Sequence, residues 1–256
     1  MIELRDLSKT YRSDGAPAVA GLNLSVPSGE FLVLTGPSGC GKTTTLSMIN
    51  RLVEPSGGSV VVDGADTAKI DPAVLRRHIG FVFQDIGLFP HMTVAENVGV
   101  TPRLLGWPRE KIAARTAEVL ELVRLPAQEY RDRLPAALSG GQRQRVGLAR
   151  ALANEPTIML MDEPFGAIDP LLRDELASDY RAIHDRLKLT TVLVTHDMTE
   201  AMMLADRIAV MRDGQLVQVD TPRALASAPA DDFVRAMIES PRRRAKKLAE
   251  AMSGAA

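Results

Sequence analysis

The chain has 256 residues, 45% of them hydrophobic and 25% charged, an ordinary balance for a folded, water-soluble protein with one large core or two modest domains. Its 31 Lys+Arg against 32 Asp+Glu leave a net charge of −1, so no global basic field argues for nucleic acid. The one cysteine, Cys40, excludes an internal disulfide and is consistent with a reducing compartment. No apolar run approaches the ~18–20 residues that span a bilayer. Met1-Ile2-Glu3-Leu4-Arg5-Asp6 lacks the basic-then-apolar layout of a secretory signal. The chain is therefore expected neither to cross a membrane nor to be exported by that route, which leaves docking on a membrane protein open.

Residues 1–35 read as β-rich. Ile2-Leu4 and Leu22-Leu24-Val26 alternate apolar with polar, and Pro27-Ser28-Gly29-Glu30 is a turn. The run Phe31-Leu32-Val33-Leu34 then feeds Gly36-Pro37-Ser38-Gly39-Cys40-Gly41-Lys42-Thr43-Thr44, followed by the helix-like Leu46–Leu52. Strand, glycine turn and helix in that order, with the spacing G-x-x-x-x-G-K-[ST], form a P-loop. The glycines let backbone N–H groups curl around a phosphate, and the helix N-terminus adds donors and partial positive charge. Lys42 can reach the β- and γ-phosphates, and the Thr43 hydroxyl can ligate Mg²⁺.

Ser59–Gly64 reads as a short β-branched strand with a turn, and Ile79–Gln84 as another strand. From about residue 91 to 153 helical spacing dominates, with Lys111–Val123 amphipathic. Within it, Leu138-Ser139-Gly140-Gly141-Gln142 precedes a helix and is a second potential anion site; a plainly capped helix would not explain two glycines and a Gln there. Thr157–Met161 and Thr191–Thr195 are continuous apolar runs of buried parallel strands, with Leu171–Leu187 as crossover helix. Asp162-Glu163 closes the first run, where α/β sheets bind ligands. Asp162 suits an Mg²⁺ contact through water and Glu163 the orienting or deprotonation of an attacking water; the alternative is a solvated acidic turn. Arg207–Gln215 reads as a hairpin with an Asp-Gly turn, and Asp232–Ile238 as a short helix.

The P-loop, the single Gln84 after a strand, Leu138–Gln142, Asp162-Glu163 and the later Thr195-His196-Asp197 together resemble the ATP-binding-cassette ATPases over about residues 1 to 238. The resemblance implies an α/β fold: a P-loop NTPase core with a mixed or parallel sheet, an N-terminal antiparallel β subdomain, and an α-helical subdomain (about 87–155) inserted after the Gln84 loop. A basic, Ala-rich tail would occupy 239–256. It implies ATP and Mg²⁺ as ligands, and a homodimer in which the Ser139 segment of one copy closes over the nucleotide of the other. On the family pattern Tyr11 stacks on adenine, Gln84 touches Mg²⁺ and the attacking water, and Ser139 and Gly141 contact the γ-phosphate of the partner's ATP. Asp169 crosses the dimer interface, and His196 contacts the γ-phosphate. Many relatives have Ser-Ala-Leu-Asp where this chain has Gly166-Ala167-Ile168-Asp169, which puts one interface hydrogen bond in doubt. Cys40 inside the P-loop is either filler or a thiol whose modification blocks the site.

In transport members the segment Gln84–Asn97 receives a short helix of the transmembrane permease, and the apolar Ile86, Leu88 and Phe89 suit helix-in-groove docking; ordinary core packing is the alternative. Met48–Leu52, Ile86–His91 and Thr101–Pro108 look most like the ATPase subunits of osmoprotectant importers, which take up glycine betaine, choline, carnitine or proline with a substrate-binding protein. Importers of amino acids or other small solutes are the runner-up. A soluble relative acting on DNA or ribosomes is disfavoured by the single cassette and the absent nucleic-acid footprint. The expected location is peripheral, at the cytoplasmic face of the inner or plasma membrane. Osmoprotectant relatives often carry C-terminal regulatory domains of paired nucleotide-binding type, and direct regulation through such a domain is not expected here. The Arg242–Lys247 run reads as a solvated tail or a contact to anionic lipid.

Overall fold

The computed structural model describes residues 1–12, 15–166 and 168–240; Ala167 and the basic run Arg242–Lys247 lie outside them. The chain runs β1 (Ile2–Lys9), β2 (Val19–Val26), β3 (Phe31–Thr35), α1 (Lys42–Ile49), β4 (Gly57–Val62), β5 (Ala65–Asp66), α2 (Pro72–His78) and β6 (Ile79–Val82). Helices follow: α3 (Val94–Val98), α4 (Val100–Leu104), α5 (Arg109–Leu122), α6 (Ala127–Tyr130) and α7 (Gly140–Leu152). Then come β7 (Ile158–Asp162), α8 (Pro170–Leu187), β8 (Thr190–Thr195), α9 (Met198–Leu204), β9 (Arg207–Arg212), β10 (Gln215–Asp220) and α10 (Pro222–Ser227). Residues 232–240 are helical as well.

Among the described residues the strands form two sheets. One has four strands in the order β2-β1-β4-β5, all antiparallel. The other has six, in the order β10-β9-β3-β8-β7-β6, parallel except for the β9–β10 hairpin turning at Asp213-Gly214. The expected architecture is thus realised: a mixed α/β core, a separate antiparallel sheet built largely from the N-terminal region, and helices between β6 and β7. Sequence reading overran at β6, which ends at Val82 and releases Phe83 and Gln84 into a loop. It left α2, α9 and α10 unassigned; each is seven residues or fewer, too short for the helical period to show.

The continuous apolar runs are explained by burial on both faces. In β3, Phe31 and Val33 face one core cluster, with Val98, Leu120, Val146 and Tyr180, while Leu32 and Leu34 face the other, with Leu46, Ile49 and Val60. β7 and β8 sort the same way: Met159, Met161 and Leu193 to the first, Ile158, Leu160, Val192 and Val194 to the second. At about 1.5–3 kcal/mol per buried large side chain, this two-sided burial fixes β3 and its neighbours as the rigid frame of the molecule.

A buried polar chain ties α8 to that frame. The Tyr180 hydroxyl lies 2.8 Å and His184 Nδ1 2.9 Å from the Thr191 hydroxyl. Burial and the nearby Arg181 charge hold the His184 pKa below its ordinary value, against the raising influence of Asp185, Asp206 and the Gly29 backbone. An unfolded His takes up a proton near pH 6.5, which folded His184 resists. This contribution to stability is therefore complete above about pH 6.5 and is lost as pH falls below it toward the depressed folded pKa. The thermal midpoint of the wild type is expected to drop more between pH 7 and 5 than that of His184→Gln; parallel melting curves would refute the assignment.

Candidate functional site

Four adjacent strands, β3, β8, β7 and β6, point their carboxyl ends to one edge of the parallel sheet. That edge is where loops from separate parts of the sequence meet. β3 delivers Gly36–Gly41, β8 delivers His196, β7 delivers Glu163, and β6 delivers Gln84. A cleft of about 430 Å³ opens there, lined by Ser38, Gly39, Lys42 and Thr43 together with Gln84, Glu163 and His196.

The P-loop geometry follows from its glycines. Gly41 has φ 101° and ends the loop as the N-cap of α1; a Cβ there would run into the Ala18 carbonyl. No side chain caps α1, so its first amides remain available to an anion at the mouth of the cleft. Lys42 is 5% exposed, and its ammonium donates to the Gly36 and Pro37 carbonyls, both at 2.8 Å. Cys40 is 4% exposed, and burial raises its thiol pKa in spite of the neighbouring Lys42. A protonated, enclosed thiol favours packing for Cys40 over reactivity.

The Thr43 hydroxyl donates to Asp162 Oδ1 at 3.0 Å. Burial raises the Asp162 pKa, the Thr43 bond lowers it, the adjacent Glu163 charge raises it again and Lys42 opposes. Among the described residues no three His, Cys, Asp or Glu gather into a cage that would hold a metal unaided. A hydroxyl and a carboxylate oxygen side by side instead suit a hard cation that fills its shell with water and phosphate. Glu163 follows at φ 43°, a strained position for a residue with a Cβ, pinned by its N–H to the Val194 carbonyl at 2.9 Å. Its Oε2 lies 3.2 Å from His196 Nδ1, joining the ends of β7 and β8. Behind them the Thr195 hydroxyl donates to Glu200 at 2.7 Å and accepts from the Asp197 N–H at 3.0 Å, which fixes the turn that presents His196. The exposed Tyr11 ring stands beside the loop, its hydroxyl 3.4 Å from that of Thr44.

Ser139, Gly140, Gly141 and Gln142 do not line this cleft. They begin α7 as a capping box: Ser139 Oγ accepts the Gln142 N–H at 3.3 Å, and Gln142 Oε1 accepts the Ser139 N–H at 2.9 Å. Ser139 and Gly140 are exposed, and the Ser139 hydroxyl keeps its own proton to donate outward. Gly141 is buried, and a Cβ on it would collide with Leu172 of α8. Gly141 thus packs α7 closely on α8, and of the two residues expected to meet the partner's phosphate, Ser139 and Gly141, Ser139 is the exposed one. Gln142 also donates to the Tyr130 hydroxyl at 3.1 Å, a partner that nothing in the sequence pattern signalled. Asp169 is exposed just ahead of α8.

The apolar docking cluster read from the sequence changes composition. Ile86 and Leu88 are half-buried, Leu88 against the main core. The exposed apolar side chains are Phe83, Phe89 and, from the turn after α1, Leu52, which together line a second cleft of about 300 Å³. A larger cavity of about 640 Å³ lies away from all the motifs, beside Trp107 and Arg103.

The model of the family described as ABC transporter matches residues 19–166. The choline transport ATP-binding protein OpuBA of Bacillus subtilis is 51% identical over 238 residues, covering 93% of this chain and 62% of the relative. The osmoprotectant import ATP-binding protein OsmV of Salmonella typhimurium is 48% identical over 241 residues, covering 93% of this chain and 63% of the relative. The chain thus spans less than two thirds of the length of either. Among solved structures, a dimeric ATP-binding cassette in a post-hydrolysis state with ADP and Pi superposes with a TM-score of 0.77 at 35% identity, covering 87% of this chain and 99% of that one.

Proposed function

The chain belongs to the ABC transporter family, and from that premise we propose that it hydrolyses ATP to drive solute import through a membrane permease. The observation that carries this reading is the split site. Lys42, Thr43, Glu163, His196 and Gln84 converge on one cleft, with Asp162 hydrogen-bonded to Thr43, while the exposed Ser139 cap lies outside it. Such a site is complete only when a second copy brings its own α7 N-terminus to the first copy's P-loop.

In that dimer the uncapped α1 amides and Lys42 hold the triphosphate, with the ammonium exchanging its two carbonyl partners for phosphate oxygens. Thr43 and Asp162 hold Mg²⁺, which supplies charge neutralisation at the phosphates. Glu163 orients and deprotonates the attacking water, and His196, 3.2 Å from it, holds that carboxylate in place and reaches the γ-phosphate. Gln84 joins the Mg²⁺ and water side, Tyr11 stacks on adenine, and Asp169 crosses between copies. The second cleft, with Leu52, Phe83 and Phe89, receives a helix from the permease, which holds the chain at the cytoplasmic face of the membrane. The names of the relatives support osmoprotectants, quaternary amines such as choline, glycine betaine and carnitine, as the solutes, and a binding protein would deliver them.

The test is to isolate the chain from membranes with its bound partners and measure ATP-driven uptake in proteoliposomes. A co-purifying permease that takes up labelled choline or glycine betaine is expected. Uptake of amino acids or polyamines alone would move the solute class, and co-purifying nucleic acid in place of a permease would end the transport reading. Within the dimer, Ser139→Arg is expected to stop turnover by about 100-fold while leaving ATP bound to the isolated chain, as removing a donor aimed at developing charge does. Lost ATP binding would put Ser139 in its own chain's cleft.

A further inference from the structure

The helix that carries the Ser139 cap also grips the loop that carries Gln84. Arg150, on α7, donates from Nη1 to the Gly87 carbonyl at 2.7 Å and from Nη2 to the Ile86 carbonyl at 2.6 Å. Its hydrogen bonds thus go to two successive backbone carbonyls rather than to a carboxylate. A planar fork on consecutive carbonyls fixes both the position and the direction of a chain, which the point charge of a lysine does not. One turn earlier on the same face, Gly147 leaves room for Ile86: a Cβ at Gly147 would come within 2.7 Å of Ile86 Cγ2. The grip therefore has two parts, a backbone clamp and a side-chain seat, and it begins two residues after Gln84.

We propose that Arg150 is a positioning residue that locks residues 86–87, and through them Gln84, to α7, so that the Gln84 loop and the Ser139 cap move as one body. The proposal rests on the assignment of Gln84 given above. From cap to clamp is about 16 Å at ~1.5 Å per residue, a stretch of unbroken helix. In the dimer, Gln84 serves the chain's own nucleotide and Ser139 the partner's. α7 then carries displacement at one nucleotide directly to the other, and a helix seated in the Phe83–Phe89 cleft pushes on both.

Arg150→Lys tests this, because it keeps the charge and most of the length while losing the fork. Expected are a kcat reduced about fivefold with KM for ATP within about twofold, and an unchanged melting temperature. Hydrogen exchange at residues 85–89 should quicken while that at 143–148 stays as in the wild type. Combined with Gln84→Ala, Arg150→Lys should slow the enzyme no further than Gln84→Ala does alone, since both act through one loop. Multiplicative losses in the double variant, unchanged loop exchange, or kcat and ATP affinity falling together with the melting temperature would each overturn the proposal. If Gln84→Ala turns over at the wild-type rate, the role given to Gln84 fails. Loop exchange then decides the lock alone: faster supports it, unchanged overturns it.

Discussion

Glu163→Gln is expected to lower ATP turnover by about 100-fold or more while leaving ATP binding within about threefold of wild type, the range in which general-base removal acts. The geometry separates the two effects. Glu163 lines the same cleft as Lys42 and sets its carboxylate beside His196, whereas phosphate binding rests on Lys42 and the uncapped amides of α1. The amide keeps the size of the carboxylate and can still accept from His196, so the end of β7 should hold its strained backbone. Only proton acceptance is lost. Nucleotide that is held but not cleaved should keep the two copies closed, so gel filtration with ATP and Mg²⁺ should show the variant as a dimer where wild type returns to monomer. Turnover at the wild-type rate would remove Glu163 from the chemistry; loss of ATP binding would give it a binding role instead.

Lys42→Ala is expected to act one step earlier, weakening ATP binding by about 100-fold, since charge-assisted hydrogen bonds are worth roughly 1.5–3 kcal/mol each. The side chain is nearly enclosed and satisfies the Gly36 and Pro37 carbonyls, so its removal also disturbs the loop itself. Lys42→Met separates the two contributions, because its unbranched stem refills the space. Equal loss of ATP affinity in both variants, measured by equilibrium titration, with a lower melting temperature only in the alanine variant, assigns the affinity to charge. Normal affinity in Lys42→Met would show that the lysine serves the loop rather than the ligand.

The two variants also show what kind of feature a sequence exposes. Gly36–Thr44 was legible because its chemistry is local: strand, glycines and helix start are consecutive, and α1 begins at Lys42 as that order requires. The strands around it were legible because burial on both faces demands an unbroken apolar run. Asp162 and Glu163 were legible from the strand they terminate. For Ile86 and Leu88 the sequence left docking and core packing both open, because an apolar residue in a loop faces whatever the fold places beside it, here α7 and the core. Leu52 belongs to the same cleft as Phe89 but lies far from it in the chain, so no local pattern joins them.

Gly141 makes the same point within a motif. The family resemblance gives it a phosphate contact, while the structure adds a second demand on it, the close approach of Leu172 across the α7–α8 contact. Arg150 carries no local mark of its role, because the carbonyls of Gly87 and Ile86 under its fork lie 63 and 64 residues away in the chain.

By itself, then, the sequence named residues whose types suit phosphate, a hard cation and an attacking water, because those abilities belong to side-chain type and to short runs of backbone. The tertiary structure decided which of them share a cleft. The strand order β3-β8-β7-β6 sets Lys42, His196, Glu163 and Gln84 along one edge, although they are scattered through more than half the chain. The same packing turns Ser139 away from that edge and ties its helix to the Gln84 loop. Strand order and helix packing are fixed by two-sided burial of distant apolar runs, a sum over many contacts that no single stretch of sequence contains.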